Sequence, residues 1–299
     1  MAESANKCMH NFKKRIISKN MVLNIVTFNI RCFGFDGNYF AKGRSESRLK
    51  YIKDFVAYNY PDTDVFIFQE IMDLSILNLI LPDGFKFHHY THDYPRHMHI
   101  VLACKKEFDF TDVKIIPNTA LDKTTSRPVI YGKLVENNIS IAHIIGVHLK
   151  SGYEHANKRI QQCQTASQFI SELIHDHKSD HIGDLSNELI DETKTRLKSL
   201  PIIMAGDFNS HYLARTKKDQ DDLSYFEKIF KNQLKLTRHN KSTYILPDAE
   251  SQLDHFWVSR GDVKTLEVYD LTKYTPANSL KNYYHDISDH LPVKIKIEI

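Results

Sequence analysis

The sequence predicts one large domain that mixes β-strands and α-helices. Short apolar runs of strand length alternate with stretches of helical periodicity, and these patterns continue to the last residue. No internal repeat, low-complexity tract or Gly/Ser- or Pro-rich linker interrupts them. At 299 residues, 41% hydrophobic and 26% charged, the chain can bury a substantial core without disulfide staples.

Residues 1–20 read as a polar, basic extension. VLNIVTF (Val22–Phe28) is β-branched and ends in a polar turn, so it predicts a strand. SESRLKYIKDFVAYNY places Leu49, Ile52, Phe55, Val56 and Tyr60 at helical spacing, with serines positioned to cap the helix. DVFIFQE (Asp64–Glu70) is a buried-type strand ending in a carboxylate. MHIVLACK, PVIYGKLV and ISIAHIIGV predict three more strands, the last ending at His148. A long helix follows, with Ile160, Cys163, Ser167, Ile170 and Ile174 on one side. Residues 176–200 are highly charged and read as an exposed helical insertion. The strand PIIMA, a helix at SYFEKIF and the strands LDHFWVS and VKIKIEI complete the chain.

Composition narrows the function. No apolar run approaches the ~20 residues that span a bilayer. The N-terminal stretch lacks the apolar segment of a secretory signal. Cys8, Cys32, Cys104 and Cys163 are widely spaced, without a CxxC pair, which suggests reduced thiols and a cytoplasmic location. Net charge is only +3, but eleven Lys or Arg residues lie between Lys7 and Lys53, against Asp36 and Glu46. A basic end suits a phosphate-rich partner, although a solvated tail and a charged helix face would read the same way.

The strand ends carry the chemistry. Asn29 and Arg31 follow the first strand and Glu70 ends the next; Arg127 opens one, and His148 and Lys150 close another. Asp207 and Asn209 follow PIIMAG, Asp254 opens LDHF, and Asp289 and His290 lie in ISDHLPV. Half-buried carboxylates need partners, which a shared metal and a shared anion would supply. Oxygen ligands without a thiolate or compact histidine cluster suit Mg²⁺ or Mn²⁺. Two separated histidines suit base and acid roles near neutral pH, and Arg and Lys suit phosphate. Together these describe metal-assisted hydrolysis of a phosphate ester. The absence of G-x-S-x-G and HExxH removes support for a serine hydrolase or a zincin.

FNIRCFG, FQE, SRP, VHL, GDFN, LDHF and SDHLPV, in this order from Val22 to the end, resemble the motifs of the endonuclease/exonuclease/phosphatase superfamily, deoxyribonuclease I-like branch. The resemblance implies an α+β, four-layer sandwich: two mainly antiparallel sheets packed face to face, helices outside, and one catalytic domain over 21–299. It implies that Asn29, Glu70 and Asp289 hold a divalent cation, Mg²⁺ or Mn²⁺, with Asp207 and Asn209 completing the pocket. Asp254 would orient His290, which would deprotonate the attacking water; His148 would stabilise or protonate the oxygens opposite. Arg31 and Arg127 would hold substrate phosphates, with Lys150 a further phosphate candidate.

Two departures bear on substrate. The arginine that the deoxyribonuclease I branch places two residues after its metal-binding glutamate is Met72 here, and the glutamate that partners its first histidine has no clear equivalent, Asp93 being the nearest candidate. The abasic-site branch differs at Arg31 and His148, where it has aspartate and tyrosine. These departures remove support for duplex specificity but not for the hydrolytic core; the expectation is a metal-dependent nuclease, an endonuclease, with DNA favoured by the FNIRCFG match. The same site on RNA, sphingomyelin or inositol phosphates is the enzymatic alternative; a silent nucleic-acid-binding module is the non-enzymatic one. The histidines of HHYTHDYPRHMH (His88, His89, His92, His97, His99) fit no zinc pattern and read as a loop. His143, His255 and Trp257 read as structural, with His255 pointing away from the site by strand alternation.

Overall fold

The computed structural model describes residues 21–34, 46–89, 98–120, 127–176, 200–210, 217–246, 249–273, 283–284 and 286–299. The N-terminal extension, Asp93, His92, His97 and nearly all of the 176–200 insertion lie outside these residues.

Two six-stranded sheets face each other. Sheet 1 contains β1 (Val22–Phe33), β2 (Val65–Ile71), β3 (Phe85–His89), β4 (His99–Lys105), β13 (Asp262–Val268) and β14 (Val293–Glu298), in the order β13-β14-β1-β2-β4-β3. Sheet 2 contains β5 (Phe108–Ile115), β6 (Ile130–Glu136), β7 (Ile139–His148), β8 (Ile202–Asp207), β9 (Lys235–Thr237) and β12 (Asp254–Val258), in the order β5-β6-β7-β8-β12-β9. Each sheet is antiparallel except for one central parallel pair, β1 with β2 and β7 with β8. A small hairpin, β10 (Tyr244–Leu246) and β11 (Ala249–Ser251), forms a separate two-stranded sheet bridged to the His290 loop, where the Ile245 amide donates to the Asp289 carbonyl.

Helices cover the outer faces and give the α+β sandwich its four layers. On sheet 1 lies α1 (Glu46–Asn59), whose Ile52, Phe55 and Val56 are buried. The Phe55 ring meets those of Phe28, Tyr269 and Tyr283 at 4.7–5.9 Å between centroids. Each such buried ring contributes roughly 2 kcal/mol by leaving water. The single turn α2 (Leu77–Ile80) packs beside it. On sheet 2 lie α3 (Ala156–Asp176) and α4 (Lys217–Phe230), enclosing Cys163, Phe169, Ile170, Phe226, Phe230 and Trp257 in a second core. The central strands are buried on both faces, so they read as continuous apolar runs rather than as alternation.

Two expectations are corrected. His88 and His89 close β3 instead of lying in a loop; His88 Nε2 meets Asp109 Oδ1 at 2.9 Å. The first strand runs on to Phe33, through positive-φ residues Arg31 and Cys32.

Candidate active site

Residues i and i+2 of a strand face the same side. In sheet 2, Ile144 and Gly146 on β7, Ile203 and Ala205 on β8, and Phe256 and Val258 on β12 turn toward sheet 1. Continuing the alternation to the strand ends sets His148, Asp207 and Asp254 on that inner face. The register aligns them side by side: His148 opposite Asp207, and Asp207 opposite Asp254. His255 and Trp257, out of phase, point to the outer core, where His255 Nε2 donates to the Ser210 carbonyl at 3.0 Å.

In sheet 1, Thr27, Asn29, Ile67 and Gln69 face inward; Gln69 is satisfied by Thr27 Oγ1 at 3.0 Å, beneath Asn29. Alternation would send Glu70 outward with Phe66 and Phe68. A register shift between Phe68 and Ile71, with φ +61° at Glu70, turns it into the cleft instead. The Cys32 amide, on the positive-φ turn after Asn29, donates to Glu70 Oε2 at 2.9 Å.

Asn29, His148 and His290 meet at one oxygen. Asp207 Oδ2 lies 3.2 Å from Asn29 Nδ2, 3.4 Å from His148 Nε2 and 3.8 Å from His290 Nε2. Asn29 Nδ2 also reaches Glu70 Oε1 at 3.3 Å, and His148 Nε2 is 3.5 Å from that oxygen. His290 Nδ1 is 2.8 Å from Asp254 Oδ2. The His290 loop is tied to β1 by Ser288 Oγ, which donates to the Asn29 carbonyl at 2.7 Å. Thr243 Oγ1 accepts from the Leu253 and Asp254 amides and so fixes the start of β12.

Electrostatics distinguish the two imidazoles. Burial alone would lower the pKa of His290, but the Asp254 and Asp207 carboxylates reverse this and push it up to about 10. Burial, then the charges of Arg127, His290 and Lys150, hold His148 well below its ordinary value, so it is neutral. The two carboxylate oxygens beside its Nε2 favour the tautomer with the proton there; its buried Nδ1 has no partner among the described residues. Burial raises Asp207, and burial followed by the charge of Glu70 raises Asp289.

Glu70, Arg127, His148, Asp207, Asn209, Asp289 and His290 line one cavity of about 620 Å³. Arg127 Nη1 and Asn209 Nδ2 both donate to the Leu149 carbonyl, at 3.2 and 3.0 Å. Arg31 is placed differently: its guanidinium lies 4.1 Å from the Tyr284 ring centroid and 3.7 Å from Asp289 Oδ2. Lys150 is not among the residues lining the cavity; its backbone is gripped from α3. Tyr244, absent from the sequence expectations, forms a wall of the cavity with its ring 5.0 Å from that of His290.

Asn29, Glu70 and Asp289 offer oxygen donors only, amid more carboxylate charge than their burial favours, and this suits a hard divalent cation. Among the described residues no three His, Cys, Asp or Glu side chains close on one point as a ready-made cage. Mg²⁺ needs none, because it keeps several waters and takes one or two carboxylates.

The model of the Endonuclease/Exonuclease/phosphatase family matches residues 26–290. The chain belongs to this family. Family fold is shared with solved structures: humanized D. rerio TDP2 carrying 14 mutations is 14% identical, with a TM-score of 0.63 over 93% of this chain and 99% of the other. A Bacteroides thetaiotaomicron family protein is 19% identical, with a TM-score of 0.61 over 93% and 95%. D. rerio TDP2 complexed with a single-strand DNA product is 14% identical, with a TM-score of 0.58 over 94% and 100%. No curated protein matches the chain in sequence.

Proposed function

We propose that this family member is a divalent-metal-dependent phosphodiesterase acting on nucleic acid, and that it cuts DNA internally. The observation that carries the reading is the convergence of Asn29, His148 and His290 on Asp207 Oδ2, with Asp254 behind His290. The structural neighbour crystallised with a single-strand DNA product supports a nucleic-acid substrate, and FNIRCFG favours DNA.

His290 takes the proton of the attacking water on Nε2, while Asp254 fixes the ring through Nδ1 and stabilises the imidazolium that forms. Neutral His148 donates from Nε2 to a phosphoryl oxygen. Arg127 and Asn209, both anchored on the Leu149 carbonyl, hold the phosphate from the sheet 2 side. Arg31 and Lys150 act at longer range on neighbouring phosphates. Asn29, Glu70 and Asp289 would hold a divalent cation, which would neutralise phosphate charge and whose positive charge would oppose the proton on His290.

Supercoiled plasmid, single-stranded DNA, RNA, sphingomyelin and inositol phosphates, each with Mg²⁺ or EDTA, test the assignment. Chelator-sensitive nicking of plasmid that His290→Ala loses is expected. Cleavage unaffected by EDTA, or hydrolysis of the lipid or inositol substrates alone, would overturn it.

A further inference from the structure

The turn from Leu149 to Gly152 is the hub of the sheet 2 side of the cavity, and it is held from outside by one face of α3. Arg159 and Gln162, three residues apart and so on the same helix face, are both buried. The Arg159 guanidinium spends nearly all its donors. Nη1 donates to the carbonyls of Lys150 at 2.9 Å and Gly152 at 2.6 Å, while Nε, at 3.0 Å, and Nη2 both donate to Asp222 Oδ2 on α4. Gln162 is equally committed: Oε1 accepts from the Lys150 amide at 3.1 Å, and Nε2 donates to the Thr119 and Arg127 carbonyls at 3.1 and 2.9 Å.

These two side chains thus bind the backbone at Thr119 and Arg127 and in the turn at Lys150 and Gly152. Arg127 is fixed at its own carbonyl by Gln162, and its guanidinium rests on Leu149, whose neighbour Lys150 is fixed by Arg159 and Gln162 together. Asn209 rests on the same Leu149 carbonyl. Asp222 compensates the Arg159 charge, so the clamp leaves no buried ion uncompensated. Arg159 and Asp222 both border the cavity. Among the described residues, Asn29 and Glu70 make no direct bond to Arg159, Gln162 or Asp222; Asn29 is linked to the turn through Asp207, whose Oδ1 accepts from the Asn209 amide and whose carbonyl accepts from the Leu149 amide.

We propose that Arg159 and Gln162, braced by Asp222, are positioning residues that set the placement of Arg127 and Asn209 against the substrate phosphate without acting on the cation side. The inference rests on the phosphodiesterase reading and separates one half of that site from the other. Displacing a substrate-holding group by about an ångström costs on the order of 100-fold in rate. Both changes preserve much of the volume: Arg159→Lys removes the fork that reaches Asp222 and the two carbonyls at once, which a lysine cannot reproduce, and Asp222→Asn removes the charge that compensates the guanidinium.

The test uses the whole chain and bis(4-nitrophenyl) phosphate with Mn²⁺, alongside hydrogen exchange over residues 149–157. Wild-type activity, absent in Asp207→Ala, first establishes the enzymatic reading; its absence is a failure of that reading alone, because the exchange measurement needs no substrate. In both variants exchange over 149–157 should accelerate and KM should rise about tenfold or more, with half-saturating Mn²⁺ unchanged. Faster exchange with wild-type KM, unchanged exchange, or a Mn²⁺ requirement that rises in parallel with KM would each overturn the proposal. Gln162→Leu, which leaves the ion pair intact, should reproduce the KM effect; wild-type kinetics in that variant would count against it as well.

Discussion

The two halves of the cleft reach one site by opposite routes. On sheet 2, His148, Asp207 and Asp254 fall on the inner face by plain strand alternation and face one another in register. On sheet 1, Glu70 reaches the cleft only because alternation fails: φ is +61° at Glu70, and +22° and +48° at Arg31 and Cys32. Positive φ at non-glycine residues costs about 1–3 kcal/mol each, and persists where surrounding contacts over-determine it. Here Arg48 of α1 supplies such contacts, donating to the carbonyls of Ile30, Arg31 and Ile287 at 2.8–3.2 Å. Regular pairing therefore places His148, Asp207 and Asp254, whereas positive-φ backbone places Glu70 from sheet 1 and, just beyond β8, Asn209 at φ +47°.

Asp207 belongs to both halves, so its replacement should have the largest effect. Asp207→Asn is expected to lower kcat by about 1,000-fold, the upper scale for losing one group that acts on transition-state charge. It also removes a fully buried carboxylate whose charged form burial disfavours, so Tm should hold or rise. Plasmid nicking and thermal unfolding of one preparation decide this. Lost activity with a large fall in Tm would mean that Asp207 holds the sheets together and that the catalytic interpretation has no special claim on it.

The next largest effect tests regular pairing itself. Gly206 precedes Asp207 with φ +146°, and a Cβ there would stand 2.0 Å from the Val147 carbonyl oxygen on β7. Gly206→Ala must separate the parallel pair between His148 and Asp207, at an expected cost of about 3 kcal/mol or more. Urea unfolding measures it. A cost below about 1 kcal/mol, the scale of an ordinary glycine replacement, would show that the β7–β8 register can shift freely, contrary to the order ascribed to that half.

The same contrast explains what the sequence disclosed. All eight interior strands of the two sheets are legible: seven as largely apolar runs, because both faces are covered, and β14 by the alternation of VKIKIEI, whose outer face is partly exposed. All four edge strands, β3, β5, β9 and β13, escape notice. In β13 the run DVKTLEV is mostly exposed, and β5 carries a bulge at Asp112, so neither has a hydrophobic period to detect. Strand-end residues of the site are equally legible, since a polar group that closes an apolar run stands out. The supporting residues do not. Thr243 acts through one hydroxyl in a short irregular stretch, and Arg159 and Gln162 are hidden among the charges of a long helix. Their one signal is that they fall at helical spacing with Cys163, Ala166 and Ile170, the buried stripe of α3.

Cation binding sharpens the comparison further. If Glu70 is the principal anchor, Mn²⁺ at about 100 times its dissociation constant should stabilise the wild type by roughly 2.7 kcal/mol. Glu70→Gln should lose most of that shift, while Arg127→Gln, on the opposite side, should keep it. Unfolding midpoints with and without Mn²⁺ supply the measurement, and EDTA should return the wild type to its starting value. Equal shifts in all three proteins would place the cation elsewhere.

The smallest expected effect concerns acid stability behind the sheet 2 half. His255 is fully buried against Phe208, and burial lowers its pKa to about 4. Its unfolded value is about 6.5. Above pH 6.5 neither state is protonated there, and the contribution of neutral His255 is complete. As pH falls from 6.5 toward 4, the unfolded chain takes up a proton that the folded one refuses, so stability drains at about 1.4 kcal/mol per pH unit, or about 2 kcal/mol by pH 5. Below pH 4 both states are protonated and the slope from this residue ends. His255→Gln can still donate toward the Ser210 carbonyl but has no proton to gain, so its loss of stability between pH 7 and 5 should be smaller by about that amount. Identical pH dependence in the two proteins would mean that the ring is protonated inside the fold, and a cation so close to Asp254 would then have to be counted among the groups that set the charge of His290.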